Sequence, residues 1–263
     1  MFNLTPTVRN LLIANVLLLV IRNSFPQIIA VGALFSVGSP YFFPWQFVTY
    51  MFLHAGWGHL IGNMFALISF GPLLEQRWGG QRFLLFWLIC GFGAGLLYEG
   101  VRYYEQRPIV ELQRELIQNP TGGDFAQLVR LAEDNSYYAA DHLALAGALS
   151  RDPSNPKLRN DVITQTQGIY EAVMASPMIG ASGAVFGILF AFAYLFPNTE
   201  LFLLFIPFPI KAKYFVFFYA LYELYNGVHR TPGDTVAHFA HLGGLLIGFL
   251  VIKFWEQGRQ KFY

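Results

Sequence analysis

Charge is scarce in this chain, and cysteine is almost absent. Asp, Glu, Lys and Arg make up 13% of the 263 residues, while 55% are hydrophobic. An ordinary soluble domain carries about a quarter charged residues, so that class is excluded. The net charge of +1 offers no basic surface, and no nucleic-acid partner is expected. A single cysteine, Cys90, excludes an intrachain disulfide. No small-residue cleavage site follows Arg9 and its apolar stretch. That stretch is therefore expected to remain as a first membrane span and not to leave as a signal peptide. Internal repeats and low-complexity tracts are absent.

The few charges are unevenly placed. Residues 101–175 hold seven of the 17 basic and ten of the 16 acidic residues. The remainder is as poor in charge as membrane spans must be. Apolar runs predict six spans, at roughly 8–28, 57–74, 82–100, 181–196, 212–226 and 237–255. Several are shorter than the ~20 residues of a full crossing. Residues 201–210, LFLLFIPFPI, contain two prolines and read as an apolar connection near the interface. The expected fold is an all-α membrane protein with a six-helix bundle. Residues 1–100 would hold helices one to three and an outer loop. Residues 101–175 would form an extracytoplasmic, mostly helical insert, and 176–263 would hold helices four to six. With the N-terminus inside, eight Lys and Arg residues outside the insert fall inside, and only Arg22 and Arg230 fall outside. That bias predicts two cytoplasmic termini; the expected place of this multi-pass protein is the bacterial cytoplasmic membrane.

Three spans begin with polar residues: His59 and Asn63 in the second, Ser182 in the fourth, His238 and His241 in the sixth. All three spans are even-numbered, so all start on one face of the bilayer. His241 lies ~5 Å deeper than His238 at the helical rise. Polar groups in spans are costly and face protein or water, so one outward-opening wet cavity should collect them. A serine at a helix N-terminus meets free amides and the positive dipole end, the surroundings that an acyl-transfer oxyanion needs. Gly180 and Gly183 allow a sharp entry and close backbone approach. A histidine in reach can take the serine proton. His59 and Asn63, at i and i+4, share a helix face and can donate toward an oxyanion. Gly183 with Gly187, and Gly244 with Gly248, form G-x-x-x-G pairs that let spans four and six approach closely. Phe186 lies one turn below Ser182 and can pack on the His241 ring.

Several stretches together resemble the rhomboid family of intramembrane serine proteases. PWQFVTYMFLH (44–54) is similar to the family's entry into the second span, although Gln46 stands where arginine is common. HLIGN (59–63) resembles its H-x-x-x-N pair, and EQRWG (75–79) its E-x-R segment. GASG (180–183) resembles the G-x-S-G nucleophile motif, and HLGGLLIG (241–248) the histidine with its glycine ladder. The resemblance covers about 190 residues outside the insert. It implies a Ser182–His241 dyad without an acid, oxyanion stabilisation by His59, Asn63 and Ala181, and support from Phe186, Gly180, Gly183, Gly244 and Gly248. It also implies an endopeptidase whose partners are the lipid bilayer and transmembrane protein substrates, without cofactor or metal.

Other readings compete. A catalytically silent relative that binds or escorts membrane clients would lack the serine or the histidine, and both are here. A histidine-box metal enzyme needs more ligands than four clustered histidines, and no carboxylate is expected beside them. A soluble α/β-hydrolase is excluded, because GASGA is not G-x-S-x-G and no strand precedes it. His241 and not His238 is expected to be the base, so acidification should lower activity as the imidazole protonates. His54 is expected to be structural, His229 solvated, and Glu75 and Arg77 an interfacial ion pair that fixes a turn.

Overall fold

A computed structural model describes residues 4–134, 142–202, 207–229, 234 and 236–257. Helix α1 (Pro6–Ser24) opens on a proline, whose missing N–H costs nothing at a helix start. Two short helices, α2 (Ile28–Gly32) and α3 (Gln46–Thr49), shape the first loop. Gln46 is fully buried there. Its carbonyl accepts from the Phe35 and Phe43 amides at 3.3 and 3.1 Å, and its amide donates to the Tyr41 carbonyl at 2.9 Å. A neutral side chain thus ties this loop.

Helix α4 (Trp57–Trp78) runs to Gly79, whose φ of 80° lies in the left-handed region that glycine alone enters cheaply. The chain turns there directly into α5 (Gly80–Gln118), a helix of 39 residues. The insert continues with α6 (Gly122–Asp134), α7 (Leu143–Arg151) and α8 (Pro156–Met174). The Asn155 side-chain Oδ1 caps α8 by accepting from the Lys157 and Leu158 amides. Helix α9 (Ser182–Leu195) ends as Phe196, the residue before Pro197, leaves helical geometry. A two-residue antiparallel pair, β1 (Glu200–Leu201) with β2 (Ile210–Lys211), links it to α10 (Ala212–Val228). Helix α11 (His238–Trp255) closes the bundle.

Helices α4, α5 and α11 are each long and apolar enough to cross a membrane, and α9 is a shorter apolar helix. The chain is an all-helical integral membrane protein. Its main core is built from α1, α4, α5, α9, α10 and α11, with Phe83, Phe86 and Trp87 fully buried. The insert has a separate core around Ile109, Leu116, Phe125 and Val162.

Two differences from the sequence expectation concern joints. The boundary at residue 100 falls inside α5, which crosses it without a break. Glu75 and Arg77 do not pair with each other, since residues two apart on a helix do not face each other. Glu75 instead accepts from the Thr7 and Val8 amides, both at 2.9 Å. Those are orphan donors of the first turn of α1, which a carboxylate satisfies well. Arg77 pairs with Glu256, which also accepts from the Trp78 indole at 2.8 Å. The start of α1 and the ends of α4 and α11 therefore share one end of the bundle. The starts of α4, α9 and α11, with their polar residues, lie at the other.

Candidate active site

The loop before Ser182 is held by backbone. The Gly180 amide donates to the Tyr50 carbonyl at 3.0 Å. Gly180 has φ 136°, and a Cβ there would lie 2.7 Å from the His59 ring. Only glycine permits that conformation and that proximity. Ala181 is the N-cap of α9, and Ser182 is the first residue of the helix proper.

Helix α9 is pressed against α11 through the two glycine pairs. A Cβ on Gly244 would lie 1.9 Å from the Gly183 carbonyl oxygen, and one on Gly248 would lie 3.0 Å from the Gly187 Cα. This closeness brings the His241 Nε2 within 2.9 Å of the half-buried Ser182 Oγ. The Phe186 ring stacks on the His241 ring, with centroids 4.2 Å apart and planes 8° from parallel. His238 does not reach the serine.

On the facing side, the Ala55 amide donates to the His59 Nδ1 at 3.4 Å. That leaves the proton of a neutral ring on Nε2, on the side of Gly180. Asn63, one turn on, is buried, and its Nδ2 donor has no partner. Among the described residues, neither His59 nor Asn63 is hydrogen-bonded to Ser182 or His241. His54 is fully buried edge-on to His59, with centroids 5.0 Å apart. Burial pushes its imidazole down to about 4, which keeps it neutral and structural. His229 is exposed and stacks on Tyr225.

His59, Asn63, Ser182 and His241 open onto one cavity of about 1170 Å³. It extends between α4 and α10, past Phe70 and Tyr219, and Arg102 and Gln106 from the insert's stem also line it. The stem is anchored close by. Arg102 donates to the Ser176 carbonyl at 2.8 Å, and Ser36 to the Gln106 carbonyl oxygen at 2.8 Å.

One finding overturns the expectation of histidines without a carboxylate. The Glu223 Oε2 lies 2.8 Å from the His241 Nδ1 and 2.6 Å from the His238 Nδ1. The His238 Nε2 in turn lies 2.9 Å from the Asp234 Oδ2. The reason is antiparallel depth. Glu223 is five residues before the end of α10 and His241 three after the start of α11. At 1.5 Å per residue the two lie at about 7.5 and 4.5 Å from the same end. A signal was present in the sequence: Glu223 is the one charged residue between Lys213 and His229, and a charge inside an apolar helix marks a site by default. The donor atoms of Glu223, His238 and His241 lie within 4.8 Å of one another, close enough for a metal. Each is already engaged at hydrogen-bond distance, however, and the other nitrogen of His241 faces Ser182.

Comparison with known proteins agrees with this architecture. The Rhomboid domain profile matches residues 43–110 and 162–255, leaving most of the insert unmatched. An uncharacterized mitochondrial rhomboid protein of Schizosaccharomyces pombe is 27% identical over 220 residues, covering 81% of this chain and 52% of its own. The mitochondrial Rhomboid protein 1 of Saccharomyces cerevisiae is 36% identical over 92 residues, covering 34% of this chain and 26% of its own. The mitochondrial RHOMBOID-like protein 6 of Arabidopsis thaliana is 51% identical over 53 residues, covering 20% of this chain and 17% of its own. The chain thus spans about half the length, or less, of these curated relatives.

Proposed function

The chain belongs to the rhomboid family, and we propose that it is an intramembrane serine endopeptidase that cuts substrates in or next to their transmembrane segments. Ser182 is the nucleophile and His241 the base. His241 takes the hydroxyl proton on Nε2 as Oγ attacks the scissile carbonyl. The oxyanion is met by free amides of the first turn of α9, beside Ala181, and by donors from His59 and Asn63. His241 then returns the proton to the leaving amine, and water hydrolyses the acyl-enzyme. The observation that carries this reading is the 2.9 Å contact between Ser182 and His241 inside a cavity. A silent relative that only binds membrane clients would have no need of it. The test is exposure of the purified protein to a fluorophosphonate probe and to a reporter transmembrane substrate. A chain that neither labels nor cleaves belongs to the silent class.

Asn63→Ala should reduce kcat by roughly 10²–10³, the usual cost of losing one well-placed oxyanion donor, with a smaller drop if His59 covers for it. Its Nδ2 has no partner in the resting protein, so the melting temperature should barely change. Unchanged turnover in both Asn63→Ala and a His59/Asn63 double variant would remove the oxyanion role.

The insert takes no part in the chemistry. The Lys and Arg bias supports an insert on the outer side, with both termini inside. Exchange of residues 110–168 for a short flexible linker keeps Arg102 and Gln106, the two stem residues beside the cavity. The exchanged protein should still label at Ser182, and in sealed vesicles the native insert should be cut by protease added outside. Complete loss of labelling in a well-folded exchanged protein contradicts this role. An insert protected from outside protease contradicts the orientation.

A further inference from the structure

The atoms behind His241 form a chain of alternating donors and acceptors. An ionised carboxylate only accepts, so Glu223 Oε2 needs N–H from both rings that face it. For His241 this places the proton on Nδ1 and leaves the Nε2 lone pair toward the Ser182 hydroxyl, 2.9 Å away. That is the tautomer a base must have. His238 has a carboxylate at each nitrogen, Glu223 at 2.6 Å and Asp234 at 2.9 Å.

On the reading of Ser182 and His241 as nucleophile and base, we propose that Glu223 is a positioning residue. It fixes His241 in its Nδ1–H tautomer and balances the imidazolium formed in the reaction, while His238 and Asp234 hold the carboxylate from behind. The proton from Ser182 goes to Nε2 of His241 and no further. Glu223 stays ionised throughout, as does the acid of soluble triads. Phe186 fixes the plane of the ring by stacking, but a stacked ring can still flip and exchange its two nitrogens. The carboxylate removes that freedom.

The test is Glu223→Gln, which keeps shape and loses charge. Loss of the triad acid costs about 10⁴ in kcat in a soluble enzyme. Because Phe186 also holds the ring here, a fall of roughly 10²–10⁴ is expected, with KM within about threefold. Among the described residues, Glu223 is the carboxylate that touches His241. Glu223→Asp, which keeps the charge, should recover part of the rate.

The outcomes separate the two readings. If wild type neither labels nor cleaves, the protease assignment fails. If wild type is active and Glu223→Gln matches it in kcat, the positioning role is wrong and the protease assignment stands. If Glu223→Gln does not fold, nitrogen NMR of histidine-labelled wild type decides, with His241→Gln used to assign the resonance. At neutral pH the His241 Nδ1 should carry the proton and Nε2 should not. The reverse pattern overturns the proposal.

Discussion

Ser182→Ala should yield a protein that folds and melts like wild type, binds no fluorophosphonate and cleaves no substrate. The expected loss in kcat is on the order of 10⁶, the cost of removing the nucleophile from a cooperating set. The expected cost in stability is about 1 kcal/mol, the worth of an ordinary hydrogen bond. The contrast follows from the position. Ser182 is half-buried at the start of α9, and its hydroxyl has His241 as its partner. Alanine keeps the helix and removes only the oxygen. The check is a reporter transmembrane substrate incubated with wild type and variant at equal folded concentration, beside melting curves. Cleavage by the variant above background would take the nucleophile's role from Ser182.

Gly244→Ala should be costly in the opposite way, through packing. Its new methyl would lie 1.9 Å from the Gly183 carbonyl oxygen. That atom is backbone and cannot rotate aside, so α9 and α11 must part. Overpacking costs about 1–3 kcal/mol, occasionally more, and a backbone clash should fall at the high end. Activity should fall with stability, because the same crossing holds His241 against Ser182. Gly100→Ala provides the comparison. Nothing lies within 4 Å of a Cβ at that helical position, so the change should gain up to about 1 kcal/mol in helix propensity. Thermal melting in one detergent measures both. Equal melting of Gly244→Ala and wild type would mean that the crossing is looser than described.

The legible parts of this protein were those written in local pattern. Gly79 and Pro197 punctuate the apolar runs, so the ends of α4 and α9 lie within a few residues of the expected spans. The spacing from Ser182 to Phe186 suffices to place one ring beneath the serine. Apolarity reports the solvent and not the backbone, which is why α5 ran on unseen past residue 100. Its second half is helical but polar, with pairs such as Arg107 and Glu111 at 2.8 Å. Glu223 was illegible as a partner for a different reason. It lies 18 residues before His241, on the neighbouring antiparallel helix. Their meeting depends on the rotation of two helices about their axes, which no hydropathy pattern specifies. Glu75 and Arg77 misled because both found partners far away in sequence, at the start of α1 and at Glu256.

The length of α5 has a mechanical consequence. Its 39 residues span about 58 Å at the helical rise, roughly twice the hydrocarbon thickness of a bilayer. One continuous rod therefore passes from the bundle into the body of the insert, and Arg102 is bolted to the carbonyl of Ser176, six residues before Ser182. Such a rod acts as a lever. A load that swings the insert must tilt the rod, bend it near Pro108, or pull on the segment that leads into α9. Whatever grips the insert thereby holds a handle on the wall of the cavity.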